Sequence, residues 1–321
     1  MTHAIVAQQA GGPEVLEYAS VEVPAPGPGQ LLIKVAAAGV NFIETYQRSG
    51  TYKVEYPFTP GAEAAGTVEA TGEGVEDFAV GDRVATAEGS RTYAEYALVD
   101  SAKALPVPDK VDDYTAAALP LQGITAHYLM NSSFRVEPGH NVLLHAGAGG
   151  VGLILTQLLK ARGARVITTV SSDEKAELSK LAGADEVLRY DGFAAKVREL
   201  TDGEGVNVVY DGVGKDTFDD SLKSLRIRGS LVLFGAASGP VPPFDPQRLN
   251  SGGSLSITRP TISHFVQNTH ERRWRSTEIF EAAANGTLSV RIGASYPLAE
   301  AAQAHRDLEG RKTTGKVLLV P

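Results

Sequence analysis

Asn141-Val142-Leu143-Leu144-His145-Ala146-Gly147-Ala148-Gly149-Gly150-Val151-Gly152 is the stretch on which the fold turns. A short apolar run ends in a glycine-rich turn. A helical pattern from Val151 to Arg162 follows, and then a second apolar run from Arg165 to Val170. A G-x-G-x-x-G match alone is a weak signal, but between a strand and a helix, with another strand behind it, it has the context of a dinucleotide-binding turn. Gly147 permits the tight turn and Gly149 lets backbone amides approach a pyrophosphate. Val151 opens the helix, whose N-terminus faces the negative charge, and Gly152 lets that helix lie close to the strand.

The alternation continues downstream. Helical patterns cover Asp173 to Ala182, Phe193 to Thr201 and Thr217 to Leu225, with strands at Glu186 to Leu188, Val206 to Tyr210, Ser230 to Phe234 and Ser254 to Thr258. Strands alternating with helices make βαβ units and a doubly wound parallel sheet, so residues 122–261 are expected to form a Rossmann domain. Upstream the rhythm differs. Ala4 to Gln8, Leu16 to Val23, Leu31 to Val40, Thr67 to Ala70, Asp82 to Ala87 and Tyr93 to Val99 are short β-rich pieces split by Gly and Pro turns, which predicts a compact β-barrel. After residue 261 a long helix from Ser263 to Asn285 and a last strand at Lys316 to Val320 return the chain to it. The expected class is α/β, with residues 1–121 and 262–321 in the barrel domain.

A chain of 321 residues exceeds the size at which one core stops growing, which agrees with two domains. It has no cysteine, so disulfides, thiolate metal sites and cysteine nucleophiles are excluded. A net charge of -8 supplies no global field for nucleic acid or anionic lipid. Arg272-Arg273-Trp274-Arg275 is interrupted by acids such as Glu271 and Glu278, which favours a solvated helix face over a nucleic-acid patch. Gly310 to Lys316 satisfies G-x-x-x-x-G-K, yet Val317 stands where a phosphate loop needs Ser or Thr, so this is a turn. No apolar stretch has the length of a membrane span and no signal segment is recognised, which predicts a cytoplasmic protein.

The end of the second strand bears on the choice of nicotinamide cofactor. An acid there accepts the ribose 2′-hydroxyl of NAD and repels a 2′-phosphate. Here Ser171-Ser172 occupies that place, with Lys175 beyond, which favours NADPH. Asp173 keeps a second reading open: a register shift of two residues would make it the ribose reader, while its bland reading is a helix N-cap. Lys175 likewise has the alternative of a solvated first-turn lysine.

Taken together, Gly11 to Leu16, Gly39 to Tyr46, Val80 to Val84, Gly123 to Ala126, His145 to Gly152 and Thr314 to Val317 resemble, in order and spacing, the quinone oxidoreductase or ζ-crystallin-like branch of the medium-chain dehydrogenase/reductases. The resemblance implies a GroES-like catalytic domain, an inserted Rossmann domain and a cleft between them. Its zinc-dependent relatives carry a Gly-His-Glu motif, which here is Gly61-Ala62-Glu63. With alanine for the histidine and no cysteine anywhere, a metal-free enzyme is expected, Glu63 being left a structural role. By the same resemblance Asn41 and Tyr46 would lie beside the nicotinamide, Thr125 and Tyr128 against the cofactor, and Gly149 and Gly150 under the pyrophosphate. Ser171, Lys175, Tyr190 and Arg311 would gather at the adenosine end. Tyr128 and Tyr190 have the alternative of ordinary core tyrosines, and Arg311 rests on resemblance alone.

The implied activity is reduction of a quinone by NADPH, with Tyr46 the first candidate donor to the oxygen gaining charge, Tyr52 the second, and Asn41 beside them. A reductase of enoyl or 2-alkenal substrates is the rival enzymatic reading. An RNA-binding or structural lens-protein role is the rival of another class. Resemblance further implies a homodimer joined through sheet edges near Phe244 to Thr258.

Overall fold

The computed structural model describes residues 1–321. The first segment holds β1 (Thr2–Val6), β2 (Glu17–Val21), β3 (Gln30–Val40), α1 (Phe42–Arg48), β4 (Glu63–Thr71), β5 (Arg83–Thr86), β6 (Tyr96–Asp100), β7 (Leu105–Pro106), α2 (Asp113–Ala118) and α3 (Pro120–Tyr128). Next come β8 (Asn141–His145), α4 (Gly150–Ala161), β9 (Arg165–Val170), α5 (Asp173–Leu181), β10 (Glu186–Arg189), α6 (Phe193–Leu200), β11 (Val206–Asp211), α7 (Phe218–Ser224), β12 (Leu225–Leu233), α8 (Gln247–Ser251) and β13 (Ser256–Thr258). The last segment contributes α9 (Thr269–Ala284), β14 (Ile292–Pro297), α10 (Ala301–Glu309) and β15 (Lys316–Val320). Contacts divide the chain into unit 1, Met1–Ile124 with Gln267–Pro321, and unit 2, Thr125–Val266.

In unit 1 the eleven-residue β3 is the hub. It pairs antiparallel with β4, β6 and β15, in a seven-stranded sheet whose path runs β14-β15-β3-β4-β5-β7. One side of this sheet closes on a core that includes Ile5, Leu31, Ile33, Val68, Tyr93 and Leu319. The alanine-rich α2 packs on β3 and β4 with Ala116, Ala117 and Ala118 fully buried, small side chains that let helix and sheet approach closely.

A polar clamp ties α1 to α10. Arg48 makes a two-pronged ion pair with Glu309 at 2.8 and 3.0 Å, and its Nη1 also faces His305 Nδ1 at 3.2 Å. An arginine only donates, so Nδ1 accepts and the His305 proton sits on Nε2, directed at Tyr93 Oη at 3.2 Å. Burial, reinforced by the Arg48 charge, pushes the His305 pKa down to about 3, which keeps the ring neutral.

Unit 2 is a six-stranded, all-parallel sheet in the order β10-β9-β8-β11-β12-β13. Val142, Leu143 and Leu144 of β8 have no solvent exposure. A parallel strand covered on both faces reads as a continuous apolar run, and each such side chain contributes roughly 1.5–3 kcal/mol of burial. The strand order reverses between β8 and β11, and in open α/β sheets ligands bind beyond the carboxyl ends of the strands at such a switch point.

Two expectations need correction. The helix expected from Ser263 to Asn285 is broken: Ile262–His264 is an isolated 3₁₀ turn, and α9 starts only at Thr269, where the Asn268 side chain accepts a hydrogen bond from Glu271 N at 2.9 Å. The helical period overran a capping residue placed just past the boundary between the units. The return segment is also richer than expected, because β14 and α10 precede β15.

Candidate active site

The glycine turn of unit 2 follows β8 directly. The left-handed residue there is Ala146, at φ 55°, not Gly147. Gly147 is required for space: a Cβ on it would stand 2.6 Å from both Thr168 and Ser179. A Cβ on Gly152 would lie 2.2 Å from the Ala146 carbonyl oxygen, so α4 can begin tight against the turn only without one. Gly149 caps α4, and a Cβ there would meet nothing nearer than the Ala146 carbonyl at 3.1 Å. The first helical bond runs from Leu153 N to Gly149 O at 2.9 Å, which leaves the amides of Gly150, Val151 and Gly152 ahead of it without helical partners. Open amides, a positive helix end and no Cβ in the way make a cradle for a phosphate anion. Tyr190 braces its base, its hydroxyl accepting from Ala146 N at 3.2 Å.

At the end of β9 the cap of α5 is Ser172, whose hydroxyl accepts from Lys175 N at 3.3 Å, and not Asp173. Asp173 is the first helical residue; its carboxylate is fully exposed and paired with Arg189. Ser171, exposed, directly follows β9, with Lys175 Nζ 3.5 Å from its hydroxyl. Tyr128 is only 3% exposed and its ring stacks on Phe265 at 4.4 Å with 4° between the planes, which fits the core-tyrosine reading; Thr125 is also buried. Arg311, left-handed at φ 56° in the turn after α10, belongs to unit 1, whereas Ser171, Lys175 and Tyr190 belong to unit 2.

Sequence reasoning missed a buried network at the carboxyl end of β11. Asp211 Oδ1 accepts from Val213 N and Gly214 N at 2.8 and 2.9 Å, and Oδ2 from Thr217 Oγ1 and Ser221 Oγ at 2.7 and 2.9 Å. Because Ser221 gives its proton to Asp211, its oxygen accepts from His145 Nε2 at 2.9 Å, and His145 Nδ1 takes the Thr169 hydroxyl at 2.7 Å. Burial holds the His145 pKa below the ordinary histidine value, so this neutral ring is structural. The signal that could have found it is an aspartate closing an apolar strand before Gly212-Val213-Gly214.

In unit 1, Asn41 caps α1, with its backbone amide donating to Glu44 Oε2 at 2.8 Å. Its side chain is tied to Glu63 and Lys316, both buried. One turn on, the rings of Tyr46 and Tyr52 meet edge to face at 5.5 Å; Tyr46 is half-buried and Tyr52 is 46% exposed. The structure thus brings Asn41, Tyr46 and Tyr52 onto and just beyond α1. Ala62 donates no ligand, its carbonyl accepting from Gly89 N at 2.8 Å, and nowhere do three His, Asp or Glu side chains gather as a metal-holding group.

Glu44 lies in the same region with its Oε1 buried and unpartnered. Burial, only partly offset by the Lys316 charge, raises its pKa from 4.5 to about 7. The folded chain thus holds a proton that the unfolded chain releases between those values, so this group's contribution to stability is fully present below pH 4.5 and is lost as pH rises through 7. The penalty reached is roughly 3 kcal/mol at 1.36 kcal/mol per unit. Glu44→Gln keeps an acceptor for Asn41 N and cannot ionise. The stability of the variant relative to wild type is therefore expected to rise between pH 5 and pH 8, by several degrees in thermal melts; parallel curves would mean that Glu44 ionises normally.

The model of the "Alcohol dehydrogenase GroES-like domain" family matches residues 27–109 and that of the "Zinc-binding dehydrogenase" family residues 150–278. A mycobacterial protein solved in complex with NADPH is 54% identical, with all of both chains covered and a TM-score of 0.97. A quinone oxidoreductase of Pseudomonas aeruginosa is 44% identical over 97% of both chains. A 2-haloacrylate reductase of a Burkholderia species is 41% identical over 100% of this chain and 99% of its own.

Proposed function

The chain belongs to the zinc-independent quinone oxidoreductase branch of the medium-chain dehydrogenase/reductases, and from that premise we propose that it reduces quinones at the expense of NADPH. The observation that carries the reading is the open-amide cradle at Gly149–Gly152 together with Ser171, just past β9, and Lys175 in the first turn of α5, where a dinucleotide enzyme selective for NAD would present an acid. NADPH, when bound, would supply a hydride, two electrons with one proton, and the second proton that completes the hydroquinone would come from solvent.

The chain's own residues do the rest. The amides of Gly150, Val151 and Gly152 hold the pyrophosphate, and Ser171 and Lys175 hold the 2′-phosphate. Tyr190 keeps the turn in shape from beneath. Asn41, Tyr46 and Tyr52 shape the reacting end, where a hydrogen bond aimed at the oxygen gaining charge is worth about 3 to 4 kcal/mol. No metal is needed, since positioning alone supplies roughly 7 to 11 kcal/mol and a quinone is a strong electrophile.

The test is a matrix of NADPH and NADH against 1,4-benzoquinone and 2-chloroacrylate, followed by absorbance of the reduced cofactor. The expected result is fastest turnover with NADPH and the quinone, unaffected by chelator. Faster turnover of the acrylate would favour the second reading, reduction of an activated alkene, which the likeness to a 2-haloacrylate reductase supports.

A homodimer is proposed as well. β13 is an edge strand, and beside it Phe218, Val241, Pro242, Phe244 and Ile257 line an apolar groove of about 590 Å³. Open strand edges are sites of pairing between chains. Light scattering at micromolar concentration should give twice the chain mass of 33.8 kDa; the single mass would defeat the proposal. No helix is long and apolar enough to cross a membrane. We place the enzyme in the cytoplasm and propose no nucleic-acid partner; salt-sensitive retention of RNA on filters would contradict the latter.

A further inference from the structure

Lys316, Glu63 and Asn41 close a circuit that the reading above leaves without a purpose. Lys316 Nζ donates to Asn41 Oδ1 at 2.7 Å and to Glu63 Oε2. Asn41 Nδ2 donates to that same Oε2 at 2.8 Å, while Glu63 Oε1 takes the Leu121 amide at 2.7 Å. Lys316 and Glu63 are 1% and 0% exposed, packed over Gly39 of β3, where a Cβ would collide with both. Taking two charges out of water costs several kcal/mol per ion, which their mutual attraction repays only in good geometry. Such a pair is therefore weak evidence for stability, and what it does is better read from what it touches.

What it touches is one carboxamide. An ammonium has donors only, so the Asn41 atom facing Lys316 must be the oxygen; a carboxylate has acceptors only, so the atom facing Glu63 must be the NH₂. Both partners impose the same orientation, and a flipped amide would set N–H against ammonium and oxygen against carboxylate. Glu63 takes one of the two Nδ2 hydrogens. The second remains, fixed in direction, on a residue 7% exposed.

We propose that Lys316 and Glu63 are positioning residues that hold Asn41 as a one-way hydrogen-bond donor toward the ligand oxygen that gains negative charge during reduction. This rests on the reading that Asn41 stands at the reacting end. A donor fixed in advance needs no reorganisation as the charge develops, which is where such groups are worth most. The internal ion pair orients the amide without adding net charge to the site. Glu63, left without a metal ligand at position 62, thus keeps a function that acts through its neighbour.

The test is a mutant cycle on the full-length enzyme with NADPH and 1,4-benzoquinone. The pair Lys316→Met with Glu63→Gln is uncharged and close in volume. It should lower kcat about 10- to 100-fold with KM for NADPH changed less than about twofold, as for a contact made mainly in the transition state. In an Asn41→Ala background the same pair should lower kcat by no more than about twofold, because the group it orients is gone. Losses that multiply in the two backgrounds, or a fall in kcat matched by loss of NADPH affinity, would overturn the proposal. If melting curves show that the pair does not fold, Glu63→Gln alone serves, since a glutamine cannot satisfy Leu121 N, Lys316 and Asn41 at once; its loss must likewise vanish in Asn41→Ala. A wild-type chain that binds NADPH by fluorescence titration yet reduces neither quinone nor acrylate defeats the functional reading itself, a separate outcome seen before any variant is made.

Discussion

Gly152→Ala is expected to weaken NADPH binding a hundredfold or more and to lower the melting temperature with it. The new Cβ would stand 2.2 Å from the Ala146 carbonyl oxygen and 3.0 Å from the Gly147 backbone, and neither is a flexible side-chain end. Relief requires the start of α4 to move off the turn. Overpacking of this kind costs about 1–3 kcal/mol of stability. The greater effect is on binding, because the amides of Gly150, Val151 and Gly152 lose their common aim, and hydrogen bonds to a charged group are worth about 1.5–3 kcal/mol each. Gly149→Ala is the informative contrast. Its Cβ would stand 3.1 Å from the Ala146 carbonyl, a contact relieved by a shift of a few tenths of an ångström, so that variant should melt closer to wild type than Gly152→Ala, and it should weaken NADPH binding if the nucleotide approaches across Gly149. Fluorescence titration beside thermal melts separates the two, and wild-type affinity in Gly152→Ala would show that the nucleotide does not use this turn.

Lys175→Ala should reduce kcat/KM for NADPH on the order of 10- to 100-fold if its charge-assisted contact is worth roughly 1.5–3 kcal/mol, and should leave NADH kinetics almost unchanged. Only NADPH carries the 2′-phosphate, a group of about -1.5 to -2 charges near neutrality by analogy with phosphate monoesters. Lys175 Nζ lies beside the Ser171 hydroxyl at the start of α5, so ammonium, hydroxyl and helix N-terminus act on the same place. The contact is remote from the reacting carbon and equal in ground and transition states, so the loss belongs in KM and not in kcat. Asp173 is fully exposed and paired with Arg189, which offsets its charge. Equal losses with both cofactors would make Lys175 structural, and a wild-type preference for NADH would return the ribose-reading role to Asp173.

The parts legible in the sequence were those with local signals. A glycine turn between apolar runs marks β8 and α4 because strand, turn and helix are contiguous, and the absence of cysteine needs no structure to interpret. The circuit of Asn41, Glu63 and Lys316 was not legible, since its members lie on three separate segments and only the pairing of β3 with β4 and β15 brings them together. The Asp211 network was hidden for a related reason: a buried aspartate is tolerable only when four donors surround it, and those donors come from the turn and helix that follow. Gly147 shows a subtler limit. The motif predicted a turn requirement there, but the turn's left-handed residue is Ala146, and Gly147 is small because Thr168 and Ser179 crowd it.

The discontinuity of unit 1 bears on how the chain must be assembled. Unit 2 is an uninterrupted segment whose sheet lacks no strand from elsewhere, so it can complete as soon as it has been synthesised. Unit 1 begins first and finishes last: β3 and β4 wait through the whole of unit 2 for β15, and with β15 comes Lys316, the counter-charge for Glu63. Until then a fully formed sheet would bury an unmatched carboxylate and leave the end of β3, Ala38 to Val40, without its partner strand. Contacts so far apart along the chain close slowly. A ribosome-bound chain stalled before β15 should therefore show a protease-resistant Rossmann segment beside a first segment still open to digestion.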